Sequence, residues 1–295
     1  MTPTLVRQHL PHAGAVPRVD LPHAGAVPRV DLRARARDWS EIQERMLVPL
    51  YEAVYERLEV GPATRLLGLG CGSGLSLLMA AARGAAVTGV DVSPERMALA
   101  RERLLPETPG TRARPDIRLV DGSPRDTAVP GASGYTLVTA FEPIGCLAGD
   151  SEGLGGLLAE AAPLAQRGAA VVLAGWGPPE RCATASVMRV AAKLAEPLRH
   201  SGSWRPACRD DLEDVAQRAG LKPDGSGRVA CPFGYAGVDS AVRGLKSTGL
   251  FDAAMTATDQ AQVDKELTEA LHPHQRKDGT VWMSNVFRYL IARTP

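Results

Sequence analysis

The sequence predicts an α/β protein in which a doubly wound, mostly parallel sheet carries helices on both faces. Short apolar runs of strand length alternate with segments of helical periodicity between residues 64 and 176. Such alternation is typical of βαβ units that wind into a parallel sheet. A glycine-rich turn over residues 70–74 joins the first of these strands to a helix, as in nucleotide-binding α/β folds.

The chain begins with a tandem duplication, in which residues 10–20 recur letter for letter as residues 21–31. Repeat folds need several units that each bury a face on a neighbour, and two short, proline-containing copies are too few. We therefore expect residues 1–32 to form a duplicated, flexible tail. The alternative is a docking arm, and with it a protein-interaction function that deletion of residues 1–31 would abolish.

A helical pattern follows the tail. Apolar residues recur on one face between residues 39 and 58, and Asp38 or Ser40 can cap the beginning of this helix. The pattern predicts a lid helix over residues 33–60, followed by a single domain over residues 61–295.

The elements of that domain can be read in order. "TRLLGLG" is a strand, "LSLLMAAARG" a helix closed by Gly84, "AAVTGVD" a strand, and "SPERMALARERL" a helix capped by Ser93. "DIRLVD", "YTLVTAF" and "GAAVVLAGW" are further strands. Helical insertions around residues 178–215 and 235–275 then interrupt the alternation, and "TVWMSNVFRYLIART" predicts a final edge or antiparallel strand.

The composition limits the partners that we expect. Lys plus Arg number 34 and Asp plus Glu 33, so a net charge of +1 gives no sign of nucleic-acid or membrane-surface binding. The five cysteines form no C-x-x-C pair, which argues against zinc and fits a reduced, cytoplasmic protein. We see no signal peptide or apolar membrane span, and we expect a monomer or homodimer with a small-molecule substrate and no metal.

The glycine turn reads G-x-G-x-G. The dinucleotide fingerprint G-x-G-x-x-G does not fit, because Leu75 and Ser73 occupy the positions where its last glycine would fall. A P-loop lysine is also missing from the turn.

Four stretches follow one another in order between Leu66 and Trp176: "LLGLGCGSG", "VTGVDVSPERMALAR", "RLVDGS" and "YTLVTAFEP". In these stretches the chain resembles the class I S-adenosylmethionine-dependent methyltransferases. The resemblance implies a Rossmann-like sheet of seven strands with an antiparallel last strand, and S-adenosyl-L-methionine as the cofactor.

The resemblance also implies where the cofactor binds. Asp91 ends the second strand, where its carboxylate can accept both ribose hydroxyls. Val92 and Met97 are expected to flank the adenine, and Asp121 to accept from its amino group. The full expected cofactor set is Leu69, Gly70, Cys71, Gly72, Gly74, Asp91, Val92, Met97, Asp121, Gly122, Ser123 and Phe141.

One position departs from the family pattern. Members usually carry an acidic residue two positions before the first glycine of the turn, and here that residue is Gly68. The acid helps to hold the methionine end of the cofactor. Its absence implies weaker binding, another residue in its place, or a protein that keeps the fold without the transfer.

Glu142 follows the fourth strand, at the position that faces the methyl group and substrate in the family. A carboxylate in a partly dry site is a plausible general base, although a solvated carboxylate at a strand end is the competing interpretation. Tyr51 is a second candidate catalytic residue, on the lid helix, with a core tyrosine as its alternative. The expected substrate contacts are Trp39, Tyr55, Trp176, His200 and Tyr235.

These residues favour a small aromatic or heteroaromatic acceptor of specialised metabolism. The pattern is similar to that of bacterial C-methyltransferases, including those acting on indole C3 in alkaloid biosynthesis. The alternatives are O- or N-methylation of a small natural product, and a cyclase or scaffold that binds S-adenosylmethionine without consuming it.

Overall fold

The computed structural model describes residues 31–105, 116–146, 149–195 and 211–295. The expected tail therefore lies, up to residue 30, outside the described residues, as does His200. The strands are β1 Arg65–Leu69, β2 Ala86–Asp91, β3 Ile117–Asp121, β4 Tyr135–Ile144, β5 Ala165–Trp176, β6 Lys222–Ala230, β7 Phe233–Tyr235, β8 Val281–Met283 and β9 Val286–Arg293.

The main sheet has seven strands in the order β3-β2-β1-β4-β5-β9-β6. Strand β1 pairs in parallel with β2 and with β4, while β9 runs antiparallel to both β5 and β6. The predicted mostly parallel, seven-stranded sheet with an antiparallel last strand is thereby confirmed.

The end of the chain differs in detail from the sequence-based expectation. The long C-terminal run divides into β8, which pairs with β7 in a separate two-stranded sheet, and β9, which inserts between β5 and β6. Of the two expected possibilities, an edge or an antiparallel strand, the structure shows the antiparallel one, and this final strand is internal to the sheet. Asn285 lies at the break between the two strands, buried, with its side-chain oxygen accepting from the Thr184 amide at 3.1 Å.

Helices cover both faces of the sheet. They are α1 Leu32–Asp38, α2 Val48–Arg57, α3 Leu75–Ala82, α4 Pro94–Leu104, α5 Asp150–Ala161, α6 Thr184–Ala195, α7 Asp211–Arg218, α8 Val238–Ser247, α9 Asp252–Ala257 and α10 Gln260–Leu271. Apolar side chains of α2, α3, α4, α8 and α10 form one buried cluster, and those of α5 and α7 form another. Among the described residues, no helix combines the length and the apolar character needed to cross a bilayer.

The first strand shows why the two clusters stay separate. Leu66 belongs to the first cluster, and Leu67 and Leu69 belong to the second, because successive side chains of a strand point to opposite faces. Gly68 shares the face of Leu66, where Leu77 of α3 packs over it.

The N-terminal helical segment begins at Leu32, next to the predicted residue 33, but its cap differs from the expected one. Asp31 caps α1, its Oδ1 accepting from the amides of Arg33 and Ala34 at 3.0 and 3.1 Å. The side chains of Asp38 and Ser40 do not cap this segment, so the cap expected at one of these residues was wrong. Between α1 and α2 the chain forms a π turn over Trp39–Gln43 and then a 3₁₀ turn over Glu44–Leu47.

The caps predicted inside the domain are confirmed. Ser93 Oγ accepts from the Arg96 amide at 3.3 Å, and Pro94 occupies the first position of α4. Gly84 follows α3 with φ +91°, a left-handed conformation that favours glycine at a helix end.

Packing at Gly89 of β2 gives the first prediction. A Cβ atom there would lie 2.4 Å from Leu77 Cδ1 and 2.9 Å from Cys71 Sγ. We expect Gly89→Ala to lower the free energy of unfolding in urea by about 1–3 kcal/mol, because the added methyl group overfills a packed interior.

The control is Gly156→Ala in α5, where no atom of the described residues lies within 4 Å of the new Cβ. That change should raise the free energy of unfolding by about 0.5–1 kcal/mol, since alanine favours a helix interior. Equal stability of the two variants would contradict the packing argument.

Candidate active site

The candidate active site lies at the carboxyl ends of β1, β2 and β4. Strand order reverses beside β1, where β2 and β3 lie to one side and β4 and β5 to the other. Ligands of open α/β sheets bind in the crevice at such a switch point. The glycine turn after Leu69, the carboxylate of Asp91 and the side chain of Glu142 all project from this edge.

The glycine turn needs its glycines for two different reasons. Gly70 and Gly72 both have φ +58° and Gly74 has φ +81°, values that residues with a Cβ rarely adopt. A Cβ at Gly74 would also lie 2.9 Å from Leu104 Cδ1, so this glycine lets α3 and α4 pack closely. A Cβ at Gly72 would lie 3.2 Å from both Trp39 Nε1 and Glu44 Oε1. The N-terminal segment thus approaches the turn closely.

Asp91 connects the end of β2 to the turn. One carboxylate oxygen accepts from the Gly72 amide at 2.8 Å, and the other accepts from the Ser93 amide at 2.9 Å. Each carboxylate oxygen has two lone pairs, so both retain capacity to accept from a ligand hydroxyl. The residue is buried, which keeps its orientation fixed.

The residues expected at the adenine lie beside one another at the ends of β2 and β3. Asp91 and Asp121 are register partners, and Val92 is 80% exposed. Asp121 is exposed and paired with Arg101. Ser123 donates its amide to Asp126 at 2.7 Å, which closes the short turn after Gly122. This end of the crevice is open.

Met97 lies elsewhere than expected. It is fully buried, with its sulfur 3.6 Å from Cys71 Sγ, so it forms part of the core beneath the turn. Arg96 lines the crevice instead. Each residue of an α-helix is rotated by about 100° from its neighbour, so one position decides which side chain faces the crevice.

A cavity of about 20 Å³ lies beneath the N-terminal segment, with room for roughly one water molecule. Its wall combines residues from that segment, the turn, α4 and β4. The Arg96 guanidinium lies 4.3 Å above the centre of the Trp39 ring, a cation–π geometry. The side chains that line it include Trp39, Glu44, Tyr51, Arg96, Phe141 and Glu142.

Glu44 is buried at the centre of a polar network. Its Oε2 accepts from Ser73 Oγ and from Arg103 Nη1, the latter at 2.7 Å, and its Oε1 accepts from the Leu75 amide at 3.3 Å. Arg103 donates further to Ser40 Oγ at 2.8 Å. No sequence motif marks Glu44, Arg96 or Arg103, because the contacts of these residues join three separate segments of the chain.

Glu142 lies at the mouth of the cavity. A Cβ at Gly70 would be 3.6 Å from Glu142 Oε2, so the carboxylate borders the glycine turn. The residue is solvent-exposed, and the walls of the concavity that it borders remove part of the water around its carboxylate. This desolvation raises the pKa of Glu142, while nearby Arg96 opposes the rise and Asp91 adds to it.

Aromatic rings line the cavity beside this carboxylate. The Phe141 ring centre lies 4.8 Å from that of Tyr51 and 5.7 Å from that of Tyr55. Burial, with a smaller effect of Glu44, raises the pKa of Tyr51 well above its ordinary value. Tyr51 is therefore a neutral phenol that can donate a hydrogen bond.

Of the expected substrate contacts, Trp39 lines the cavity and three others do not. Tyr55 donates its hydroxyl to the Ser76 carbonyl at 3.0 Å, and Tyr235 donates to Gln43 Oε1 at 3.0 Å. Trp176 packs against Phe287 with ring centres 4.6 Å apart. These three residues support the walls of the site from behind.

No group of three or more histidine, cysteine or carboxylate side chains in the described part of the chain could hold a metal ion.

Comparison with known proteins agrees with this geometry. Residues 66–167 match the model of a family described as a methyltransferase domain. A search of curated proteins finds no significant match.

Solved structures share the fold at low sequence identity. YcgJ from Bacillus subtilis is 13% identical with a TM-score of 0.52, covering 83% of this chain and 98% of its own. A methyltransferase candidate from Bacillus halodurans is 14% identical with a TM-score of 0.51, with the same coverage of 83% and 98%. YjhP from Escherichia coli is 18% identical with a TM-score of 0.50, covering 89% and 99%.

The position of Asp91 gives the second prediction. We expect Asp91→Asn to lower stability by about 1–3 kcal/mol, because the amide nitrogen cannot accept from a backbone N–H. Affinity for S-adenosylhomocysteine, measured by isothermal titration calorimetry, should fall at least about tenfold.

The matched control is Asp278→Asn, at an exposed turn where the carboxylate accepts from the Thr280 amide at 3.0 Å. It should leave nucleoside binding unchanged. If the Asp91→Asn variant binds S-adenosylhomocysteine with unaltered affinity, Asp91 does not contribute to the binding site.

Proposed function

We propose that this class I S-adenosylmethionine-dependent methyltransferase methylates a small aromatic or heteroaromatic metabolite, with Glu142 as the general base. The observation that carries the proposal is the position of the Glu142 carboxylate, which borders the glycine turn beside the Phe141 and Tyr51 rings.

The residues present fit the cofactor. Trp39 Nε1 faces the turn, is buried, and has no hydrogen-bond partner among the described residues, so it can donate to a ligand. Asp91 retains acceptor capacity at the end of β2, and the open surface around Val92 and Asp121 suits a flat base. The enclosed cavity holds about 20 Å³, so most of the ligand would lie in the open end of the crevice, near Val92 and Asp121.

S-adenosylmethionine supplies an electrophilic methyl group when bound. This chain's contribution is to orient the acceptor, exclude water and take up a proton. The raised pKa makes the Glu142 carboxylate a stronger base than that of a glutamate with an ordinary pKa. The neutral hydroxyl of Tyr51 can hydrogen-bond the acceptor.

Carbon is the accepting atom that we favour. Among the described residues that line the cavity, none is a histidine or lysine. The carboxylate of Glu142 is therefore the base that we propose. With an indole, C3 would bond to the methyl carbon as the bond from that carbon to sulfur breaks, which releases S-adenosylhomocysteine, and Glu142 would take the N1 proton so that the methylated product is neutral. The faces of the Phe141 and Tyr51 rings would stabilise the positive charge on the acceptor.

A second candidate rests on Gly68. A Cβ at this position would lie 2.9 Å from Leu77 Cδ2, so leucine fills the space in which an acidic side chain would begin. A protein without that acid could bind the cofactor and catalyse a cyclisation without methyl transfer. Under this alternative, S-adenosylmethionine binds but is not consumed.

The third prediction tests the base. Mixing the protein with S-adenosylmethionine and a panel of indoles, phenols and amines should release S-adenosylhomocysteine with an indole and give a carbon-methylated product. Glu142→Gln should lower the rate about 10²- to 10⁴-fold, because the isosteric amide cannot accept the proton.

Glu152→Gln on the exposed surface of α5 is the control and should retain the rate. Turnover only with phenols or amines would overturn carbon methylation. Binding without turnover across the whole panel would favour the non-methylating candidate.

The fourth prediction concerns pH. A base works in its ionised form, so the rate should rise with pH through the pKa of Glu142, at a higher pH than an ordinary glutamate would give. Arg96 lowers this pKa, and Arg96→Met should therefore move the rising limb to higher pH.

The control is Arg276→Met, which removes an arginine 4.5 Å above the Trp282 ring. Its pH profile should match that of the unaltered protein. A rising limb that stays in place in Arg96→Met would show that another group sets the profile.

A further inference from the structure

We infer that Trp39 and Glu44 form a recognition pair for the zwitterionic amino-acid end of the cofactor, in place of the acid that Gly68 does not provide. Trp39 Nε1 would donate to the carboxylate of the ligand, and Glu44 would accept from its ammonium group. The inference deepens the proposed function by assigning residues to the cofactor site, and it involves no acceptor.

The indole nitrogen of Trp39 is the first observation. The residue is only 9% exposed, yet Nε1 has no hydrogen-bond partner within the described ranges. A buried donor without an acceptor is costly, and most such groups in folded proteins are paired. The nitrogen lies 3.2 Å from the position of a Gly72 Cβ, so it points at the turn. A carboxylate at the turn would satisfy it.

Glu44 offers the complementary group at the same place. Its carboxylate is 2% exposed, and Oε1 also lies 3.2 Å from the position of a Gly72 Cβ. Oε2 is occupied by Ser73 and Arg103, whereas Oε1 accepts the Leu75 amide at a long 3.3 Å. A carboxylate oxygen can accept two hydrogen bonds, so Oε1 can take an ammonium proton as well.

The backbone explains how the two side chains come to share one face. Residues five apart in a regular α-helix point about 140° away from each other. Here Trp39–Gln43 forms a π turn, closed by the Glu44 amide donating to the Trp39 carbonyl. This bond from residue i+5 to residue i widens the turn and brings positions 39 and 44 together.

The same two residues account for the missing acid. Leu77 fills the space beside Gly68, so a carboxylate there would be buried against a methyl group. Glu44 enters the cavity from the N-terminal segment, and both Gly68 and Glu44 line it. The carboxylate comes from a different element but borders the same turn.

The fifth prediction compares two ligands that differ only where the pair would act. S-adenosylhomocysteine carries the amino-acid end, and 5′-methylthioadenosine lacks it. By isothermal titration calorimetry, Trp39→Phe and Glu44→Gln should each weaken S-adenosylhomocysteine binding about tenfold or more, as expected for hydrogen bonds to charged groups. Binding of 5′-methylthioadenosine should change by less than about twofold.

Two variants serve as matched controls. Trp282→Phe alters a tryptophan that also carries an arginine 4.5 Å above its ring, and Glu213→Gln alters a carboxylate ion-paired with Arg288. Both should bind the two ligands like the unaltered protein. Trp39→Phe keeps an aromatic side chain and removes the Nε1 donor. This variant therefore remains informative if a thermal melt shows that Glu44→Gln does not fold.

If Trp39→Phe lowered the affinity for both ligands equally, the inference would be overturned, because Trp39 would then have only a structural role. Unchanged binding of S-adenosylhomocysteine in both site variants would also overturn it. The measurement contains no acceptor, so an error in the proposed aromatic substrate would leave these outcomes unaffected.

Discussion

The site depends on keeping the buried carboxylate of Glu44 satisfied. A charge removed from water is stable only when it is paired and hydrogen-bonded, and here the partners are Ser73 of the turn and Arg103 of α4. Arg103 also reaches Ser40. This one requirement joins the N-terminal segment, the glycine turn and α4, so the wall of the crevice is held by electrostatics as well as by apolar packing.

The sheet was predictable because its signals are local. Alternating strand and helix patterns are properties of short windows, and Asp91 and Glu142 lie at strand ends, which parallel topology brings to one edge. Glu44 and Arg96 carry no such signal. A π turn changes which side chains of the N-terminal segment face the glycine turn. On α4, neighbouring residues point in directions about 100° apart, so Arg96 lines the cavity while Met97 is buried.

Three aromatic residues that were expected to contact the substrate do not line the cavity. Tyr55, Trp176 and Tyr235 are large, and the sequence alone does not show whether a ring faces a cavity or a neighbouring ring. The structure gives each hydroxyl or ring a partner inside the protein. A tyrosine whose hydroxyl already donates to a carbonyl or an amide oxygen contributes rigidity behind the site.

Arg96 interacts with both a proposed cofactor-binding residue and the proposed general base. Its guanidinium lies over Trp39, and its charge lowers the pKa of Glu142. Arg96 lines the same cavity as Trp39, the proposed binding residue, and Glu142, the proposed base. A movement of Arg96 away from Glu142 would strengthen the base, and a movement toward it would weaken the base. In the proposed mechanism, one side chain thus contacts a binding residue and also influences the strength of the base.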